Sequence, residues 1–466
     1  MSPSPRSAVA SAGTILVATG LCLAAAAVLR IHQSVPATGL LPVDALAQLF
    51  SLHRILLRHF VILPLLPAVY GARLLLDATG RSIRPRPALA RFSWGLLTLG
   101  ACLVTWAFVT ASLNDQWAIA VALPVSRDLV SPVLLVGLMA SHAALLCAAL
   151  VLLDIGRRVP LHRRSPTTTS LVIAAHLFVL HAVSAVAVTG TGLVERVFAL
   201  GLFDPAKGGS PAGLAQLAAI AAAPGVAAVV LAILGIVTHA VAPGASGTAP
   251  RRTLWLLLAT ALFGTLSIDT RSAPATWTSQ YVVVFWLMRV GFAAAVVSSI
   301  ALVSAWAIER RTRPTGPAFF ASSISVAFLV AEVLVDLFVS APATAGLAGG
   351  YVVQARDYLL ASSVVLAGIA AGEGWPPRTT TISAWPARTT LFGAALFTAG
   401  TATAIWPMLV MGLHGLSMEM RRFPPAFIPL QVLVLFGGAM LAVGGLMMLG
   451  SLLTRAIAGR LSSGTV

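Results

Sequence analysis

Apolar residues fall in long runs separated by short polar stretches along the whole chain. A helix that crosses the hydrocarbon of a bilayer needs roughly 20 predominantly apolar residues. About twelve runs reach that length, near 11–30, 52–76, 93–112, 129–153, 168–192, 213–242, 254–270, 278–307, 317–341, 350–372, 388–413 and 426–451. The pattern predicts an all-α, polytopic membrane protein with about twelve transmembrane helices. It reads as a single integral membrane domain over residues 1–466. The first run is followed by many others, so it is read as a span and not as a signal peptide.

Composition agrees. Hydrophobic residues make up 58% of the chain and charged residues only 9%, where a soluble domain carries about 25% charged residues. The formal charge is +16, but a single lysine, Lys207, is present. The rest is arginine, concentrated between spans. One set of loops holds Arg81, Arg84, Arg86 and Arg91; Arg157, Arg158, Arg163 and Arg164; Arg251 and Arg252; Arg310, Arg311 and Arg313; Arg378; and Arg455 and Arg460. The alternate set is poorer in arginine and holds Asp44, Asp115, Arg127, Asp128, Glu195, Arg196, Asp204, Lys207, Asp269 and Arg271. The excess of arginine on cytoplasmic loops places the first set, and both termini, in the cytoplasm. A bacterial inner membrane is the expected location. Topology accounts for the charge, so no nucleic-acid partner is needed. Cys22, Cys102 and Cys147 lie in separate apolar stretches and form no paired motif.

Charges inside spans are costly and usually face the bundle interior. The second span carries His53, Arg54, Arg58 and His59, and the eighth carries Arg289. Glu332 and Asp336 lie four apart in the ninth, on one helical face. Arg356 and Asp357 stand in the tenth, His142 in the fourth, and His176 and His181 in the fifth. No histidine–glutamate motif, P-loop or dinucleotide fingerprint is present. Glu332 and Asp336 suit either a proton or ion path or an ion pair with Arg289 or Arg356. His176 and His181 read as satisfied core or interfacial histidines.

Several segments resemble heme-copper oxidase subunit I. The loop "LVERVFALGLFDPAKGGSP" is similar to the family segment Phe-Asp-Pro-Ala-Gly-Gly-Gly before helix six. "LHRILLRHFVILPLLPAVYG" resembles the second helix, "ARFSWGLL" the start of the third, and "SIDTRS" the Asp-Thr-Arg after the seventh. "YVVQARDYLL" resembles Tyr-Val-Val-Ala-His-Phe-His-Tyr-Val-Leu, and "IWPMLVMGLHGLSMEMRRFPPAF" resembles the stretch that ends in an Arg-Arg pair near the heme propionates. The order and spacing imply a subunit I-like bundle.

The same comparison implies loss of the chemistry. Ala223, Ala259 and Thr260 stand at the copper-ligating histidines, Gly225 at a proton-conducting glutamate and Ala227 at a cross-linked tyrosine. Ala355 falls on the high-spin heme ligand, Asp357 on one low-spin ligand and His53 on the other. Leu347 and Ala348 replace a His-Asp pair. Arg421 and Arg422 match the propionate-binding pair. Of six ligand positions only His53 keeps an imidazole. Copper sites of this kind are built from imidazoles, which alanine and threonine cannot replace. The expectation is therefore no oxidase activity, no copper and no bound cofactor. The alternative is a residual heme carrier using His53, Arg421 and Arg422. The vacated sites are expected to have partly collapsed or to hold lipid, with Asp357 paired to His53, Arg54 or Arg58. The expected role is a non-catalytic scaffold for other membrane subunits, such as a subunit II-like cupredoxin or a cytochrome c domain.

Overall fold

The computed structural model describes residues 5–34, 43–72, 74–75, 87–110, 131–160, 164–202, 207, 209, 213–241, 251–268, 279–309, 316–342, 344, 350–373, 385–416 and 424–463. Among them twelve long helices follow in chain order. They are α1 (Pro5–Ser34), α2, α3 (Pro87–Val109), α4 (Pro132–Gly156), α5 (Pro166–Phe198), α6 (Gly213–Val241), α7 (Arg251–Leu266), α8 (Ser279–Glu309), α9 (Pro317–Ser340), α10 (Gly350–Glu373), α11 (Trp385–Leu413) and α12 (Ile428–Ser463). Helix α2 starts as Val43–Ile55 and continues through two π-helical segments, Leu56–Ile62 and Leu65–Gly71. Eleven of the helices are long and apolar enough to cross a membrane. The twelfth, α7, has sixteen residues where the apolar run 254–270 predicted a span, because it ends at Leu266.

Helix starts follow local rules. Proline opens α3, α4, α5 and α9, where its missing N–H costs nothing. The Ser131 hydroxyl accepts the Val133 N–H, and that of Ser165 accepts the Thr168 N–H. Helix α5 runs on past the predicted end at 192, so Glu195 and Arg196 lie on its last turn. Ala199 then breaks it with a left-handed backbone (φ 52°). The Glu195 carboxylate accepts the N–H groups of Gly201 and Leu202 at 3.0 and 3.1 Å, which fixes the start of the following loop.

Consecutive helices pack as antiparallel neighbours, most extensively α11 on α12, α5 on α6, α3 on α4 and α9 on α10, while α1 closes against α12. The centre is α6. It touches α5, α7, α8, α9, α10 and the second π segment of α2. Its apolar residues Ala227, Ala228, Val230, Leu231 and Ile233 are fully buried. In a bilayer small residues let backbones approach, and packing then supplies the cohesion that hydrophobicity cannot. The α11–α12 contact shows this. A Cβ on Gly400 would lie 2.5 Å from the Leu441 nitrogen, and one on Gly437 2.6 Å from that of Ala404. By contrast α3, α8 and α12 leave apolar faces outward, Phe92, Trp106, Phe436 and Leu446 among them, as lipid contact requires.

Candidate functional site

Polar residues of the described spans gather into clusters, three of which hold the residues singled out by the sequence or join distant helices. The first joins α8, α9 and α10. Asp336 of α9 accepts Arg289 of α8 at 2.5 Å on one oxygen and Arg356 of α10 at 2.6 Å on the other. Arg289 also donates to the Ser340 hydroxyl at 2.6 Å. Arg356 reaches the neighbouring Asp357 at 3.2 Å. Glu332 lies one turn from Asp336 and is buried. Two arginines and two aspartates therefore close a compact network around one carboxylate, and a desolvated charge needs such company.

The expected pairing of Asp357 differs. Its ion pair among the described residues is with Arg356, and not with His53, Arg54 or Arg58. The cause is position. Arg356 precedes Asp357 directly, so one guanidinium spans Asp336 and Asp357. Arg54 is half-buried and Arg58 exposed on α2.

The second cluster surrounds His53, which is 2% exposed. Its Nδ1 lies 3.0 Å from the Cys22 carbonyl of α1 and 3.2 Å from the Cys22 sulfur. Its Nε2 lies 2.7 Å from the Tyr358 hydroxyl of α10. A carbonyl only accepts, so Nδ1 carries the proton and Nε2 accepts the tyrosine O–H. The lone pair a metal would need is already engaged. Tyr358→Phe is expected to leave Nε2 buried without a partner and to cost about 1–3 kcal/mol. Thermal unfolding of Tyr358→Phe, His53→Phe and the double variant checks this, the double costing less than the sum.

The third cluster was not legible in sequence. Arg30 of α1 is 5% exposed. It donates to Tyr351 and Gln354 of α10 at 3.1 and 2.7 Å and to Gln431 of α12 at 3.2 Å. Its guanidinium lies 5.2 Å from the centre of the Tyr351 ring, and Gln431 donates to the Tyr351 hydroxyl at 2.6 Å. Only the amphipathic mixture of Tyr351 and Gln354 in an apolar run hinted at a partner. Nothing local identified it as a residue over 300 positions away.

Of the three positions compared with copper ligands, Ala223 and Thr260 are buried and Ala259 is half-buried. Thr260 is fully buried and donates to its own helix at Leu256 O. Ala223 and Ala227 are buried on α6. One turn beyond Thr260, a Cβ on Gly264 would lie 2.6 Å from that of Ala227 and 2.8 Å from the Phe292 ring. Ala355, compared with the high-spin ligand, is fully buried against Tyr351, Leu359, Met408 and Met411. Two interior cavities among the described residues, one beside Phe178 and one beside Ser299, hold about 10 Å³ each, room for about one water. This donor chemistry does not fit the metal centres that the resemblance implies. Alanine and threonine supply no imidazole, and His53 faces a tyrosine. Among the described residues no group of three histidine, cysteine or acidic side chains surrounds one point. Arg421, Arg422, Leu347 and Ala348 lie outside the described residues, as does most of the loop that begins at Phe203.

His176 hydrogen-bonds within its own helix at Val172 O, 2.8 Å away. His181 is a buried core histidine whose Nδ1 meets the Ala221 carbonyl at 2.6 Å, while its Nε2 has no hydrogen-bond partner among the described residues.

Among solved structures the chain is similar to a heme-copper terminal oxidase determined by cryo-EM as a dimer. The TM-score is 0.72 with 14% sequence identity, and the match covers 97% of this chain and 84% of that one. The chain has the oxidase-like fold. At that identity the likeness speaks for architecture alone. No family model matches the sequence, and no curated protein matches it.

Proposed function

We propose that the chain is a non-catalytic membrane subunit that keeps an oxidase subunit I-like frame to scaffold or anchor a redox partner of a respiratory electron-transfer complex. The partner would be a subunit II-like cupredoxin or a cytochrome c domain, with lipid around the bundle and both termini in the cytoplasm. One observation carries the reading. His53 is the sole imidazole left among six compared ligand positions, and it is bonded at both nitrogens, to Cys22 and to Tyr358. Oxygen reduction needs an open iron, a neighbouring copper and a supply of protons, and none of the compared ligand positions provides for the first two.

The test is purification of the full chain from native membranes. The expected result is no Soret band, no stoichiometric copper and a co-purifying redox protein, retained after gentle cross-linking. A Soret band that disappears in His53→Ala would overturn the reading in favour of a residual heme carrier. Recovery of the chain without any partner protein would also overturn it.

A further inference from the structure

The arginines at the arginine-rich end of the bundle divide into two kinds. Those around the α4–α5 junction are engaged inside the protein. Arg157 and Arg158 both bond Asp154 at 2.7 Å, and Arg164 donates to the Gly156 and Val159 carbonyls at 3.1 and 3.0 Å. Four others are exposed and make no hydrogen bond or ion pair among the described residues. They are Arg91 on α3, Arg251 and Arg252 on α7, and Arg388 on α11.

These four stand near the starts of their helices, which begin at Pro87, Arg251 and Trp385. None of the three helices has an acid in its first turn. A cation there opposes the helix dipole, so local stability does not account for it. The helices α3, α7 and α11 lie four apart in chain order. In a bundle of antiparallel neighbours they therefore enter the membrane from the same face.

An exposed aromatic ring follows each arginine by one turn. Trp94 comes three residues after Arg91, Trp255 three after Arg252 and four after Arg251, and Phe392 four after Arg388. That spacing puts cation and ring on one side of the helix. Trp94 is 39% exposed, Trp255 60% and Phe392 62%. The exposed faces continue with apolar side chains, Leu99 on α3, Leu258 and Leu262 on α7, and Ala395 and Ala399 on α11. From the membrane surface inward, each face reads guanidinium, aromatic ring, hydrocarbon.

A phospholipid presents the same order: phosphate, glycerol ester, acyl chains. Aromatic rings settle at the level of the headgroups. A guanidinium offers a planar fork that fits phosphate oxygens in pairs, which the point charge of lysine does not. Apart from Lys207, every member of the lysine and arginine set is arginine. A zwitterionic headgroup brings its own cation, which a free guanidinium repels, whereas an anionic headgroup brings net negative charge. We propose that Arg91 with Trp94, Arg251 and Arg252 with Trp255, and Arg388 with Phe392 form three binding sites for anionic phospholipid in one leaflet. The α7 site is the tightest, because it has two arginines. Helix α7 also has the most use for it. Its sixteen residues rise about 24 Å, short of a hydrocarbon core of roughly 30 Å, so a bound headgroup fixes the depth of a helix that its own length leaves loose. The proposal rests on the bundle being embedded in a bilayer and is independent of any redox partner, so failure of the scaffold role would leave it standing.

The test is native mass spectrometry of the full chain in detergent with equal amounts of phosphatidylglycerol and phosphatidylcholine of the same acyl chains. The expected result is three phosphatidylglycerol molecules retained in preference to phosphatidylcholine and not displaced by inorganic phosphate. Arg251→Gln with Arg252→Gln should remove one of them, with a loss of affinity of roughly 25-fold, about fivefold per arginine. Arg91→Gln and Arg388→Gln should each remove one other. Trp255→Ala should weaken retention at α7 and leave the preference for the anionic lipid. Arg157→Gln should change nothing, since Asp154 keeps Arg158. Equal retention of the two lipids, displacement by inorganic phosphate, or the same loss in Arg157→Gln as in the site variants would overturn the proposal. If the glutamine variants do not accumulate, Arg251→Lys with Arg252→Lys keeps the charge that sets topology and removes the fork. It should still loosen the α7 lipid, and unchanged retention there would overturn the proposal equally.

Discussion

Asp336→Ala is expected to destabilise the bundle by about 3–5 kcal/mol, the cost of leaving a buried charge without its partner. Two arginines share this one carboxylate. Arg289 is 5% exposed and Arg356 17%. Removing Asp336 takes away the carboxylate that both guanidiniums share and leaves Asp357 and Glu332 as the acids of the group among the described residues. The loss falls on three consecutive helices, because Arg289 stands on α8, Asp336 on α9 and Arg356 on α10. Thermal unfolding in detergent measures it, with expression yield as a second readout. Asp336→Asn keeps the shape but removes the charge, and should fall between the alanine variant and wild type. The double variant Arg289→Leu with Asp336→Leu should recover part of the loss, since apolar replacement of a whole buried pair is often near neutral. A single variant Asp336→Ala as stable as wild type would show that water reaches the network freely.

Restoring imidazoles at the packed α6–α7 positions is expected to have the second-largest effect. Thr260 is fully buried and Ala223 is 7% exposed. The neighbouring interval is already closed, with Gly264 tolerating no Cβ beside Ala227. Overpacking a well-filled interior typically costs about 1–3 kcal/mol per site. Ala223→His combined with Thr260→His should therefore unfold at lower temperature and accumulate poorly. Metal analysis of whatever folds should find no copper bound by the pair. A stable double variant that takes up copper would mean that the interval between α6 and α7 opens without cost.

Much of the architecture was legible in residue order. The apolar runs located eleven helices that span by length and composition, with ends within a few residues of those predicted for α6, α8, α9 and α11. The reason is that a bilayer dictates local rules: every backbone group must be satisfied within its own helix, so length and apolarity suffice. The exceptions also have local causes. Helix α7 stops at Leu266, short of the apolar run, and α5 continues to Phe198 because Glu195 and Arg196 are accommodated on an outward last turn. The resemblance drawn from ordered segments anticipated the bundle that the solved oxidase shares at 14% identity.

The site was legible only in part. Glu332 and Asp336 are recognisable as intramembrane acids that can pair with Arg289 or Arg356, yet residue order does not choose the partner of Asp357. Arg30 has no local signature, because an arginine near the end of an apolar run looks like an ordinary flanking charge. Its partners Gln354 and Gln431 are more than 300 residues away.

By itself the sequence determined the membrane-spanning character, the all-helical class and the removal of imidazoles at five of six compared positions. These follow from side-chain chemistry and from a solvent that imposes one backbone solution. The tertiary structure decided which polar groups meet. It turned His53 toward Tyr358, gathered two arginines on Asp336, seated Arg30 among α10 and α12, and set His59, His142 and His181 edge-on to one another. Such pairings depend on helix rotation and on which helices adjoin. Those are set by packing between small residues such as Gly400 and Gly437, and no local pattern encodes them.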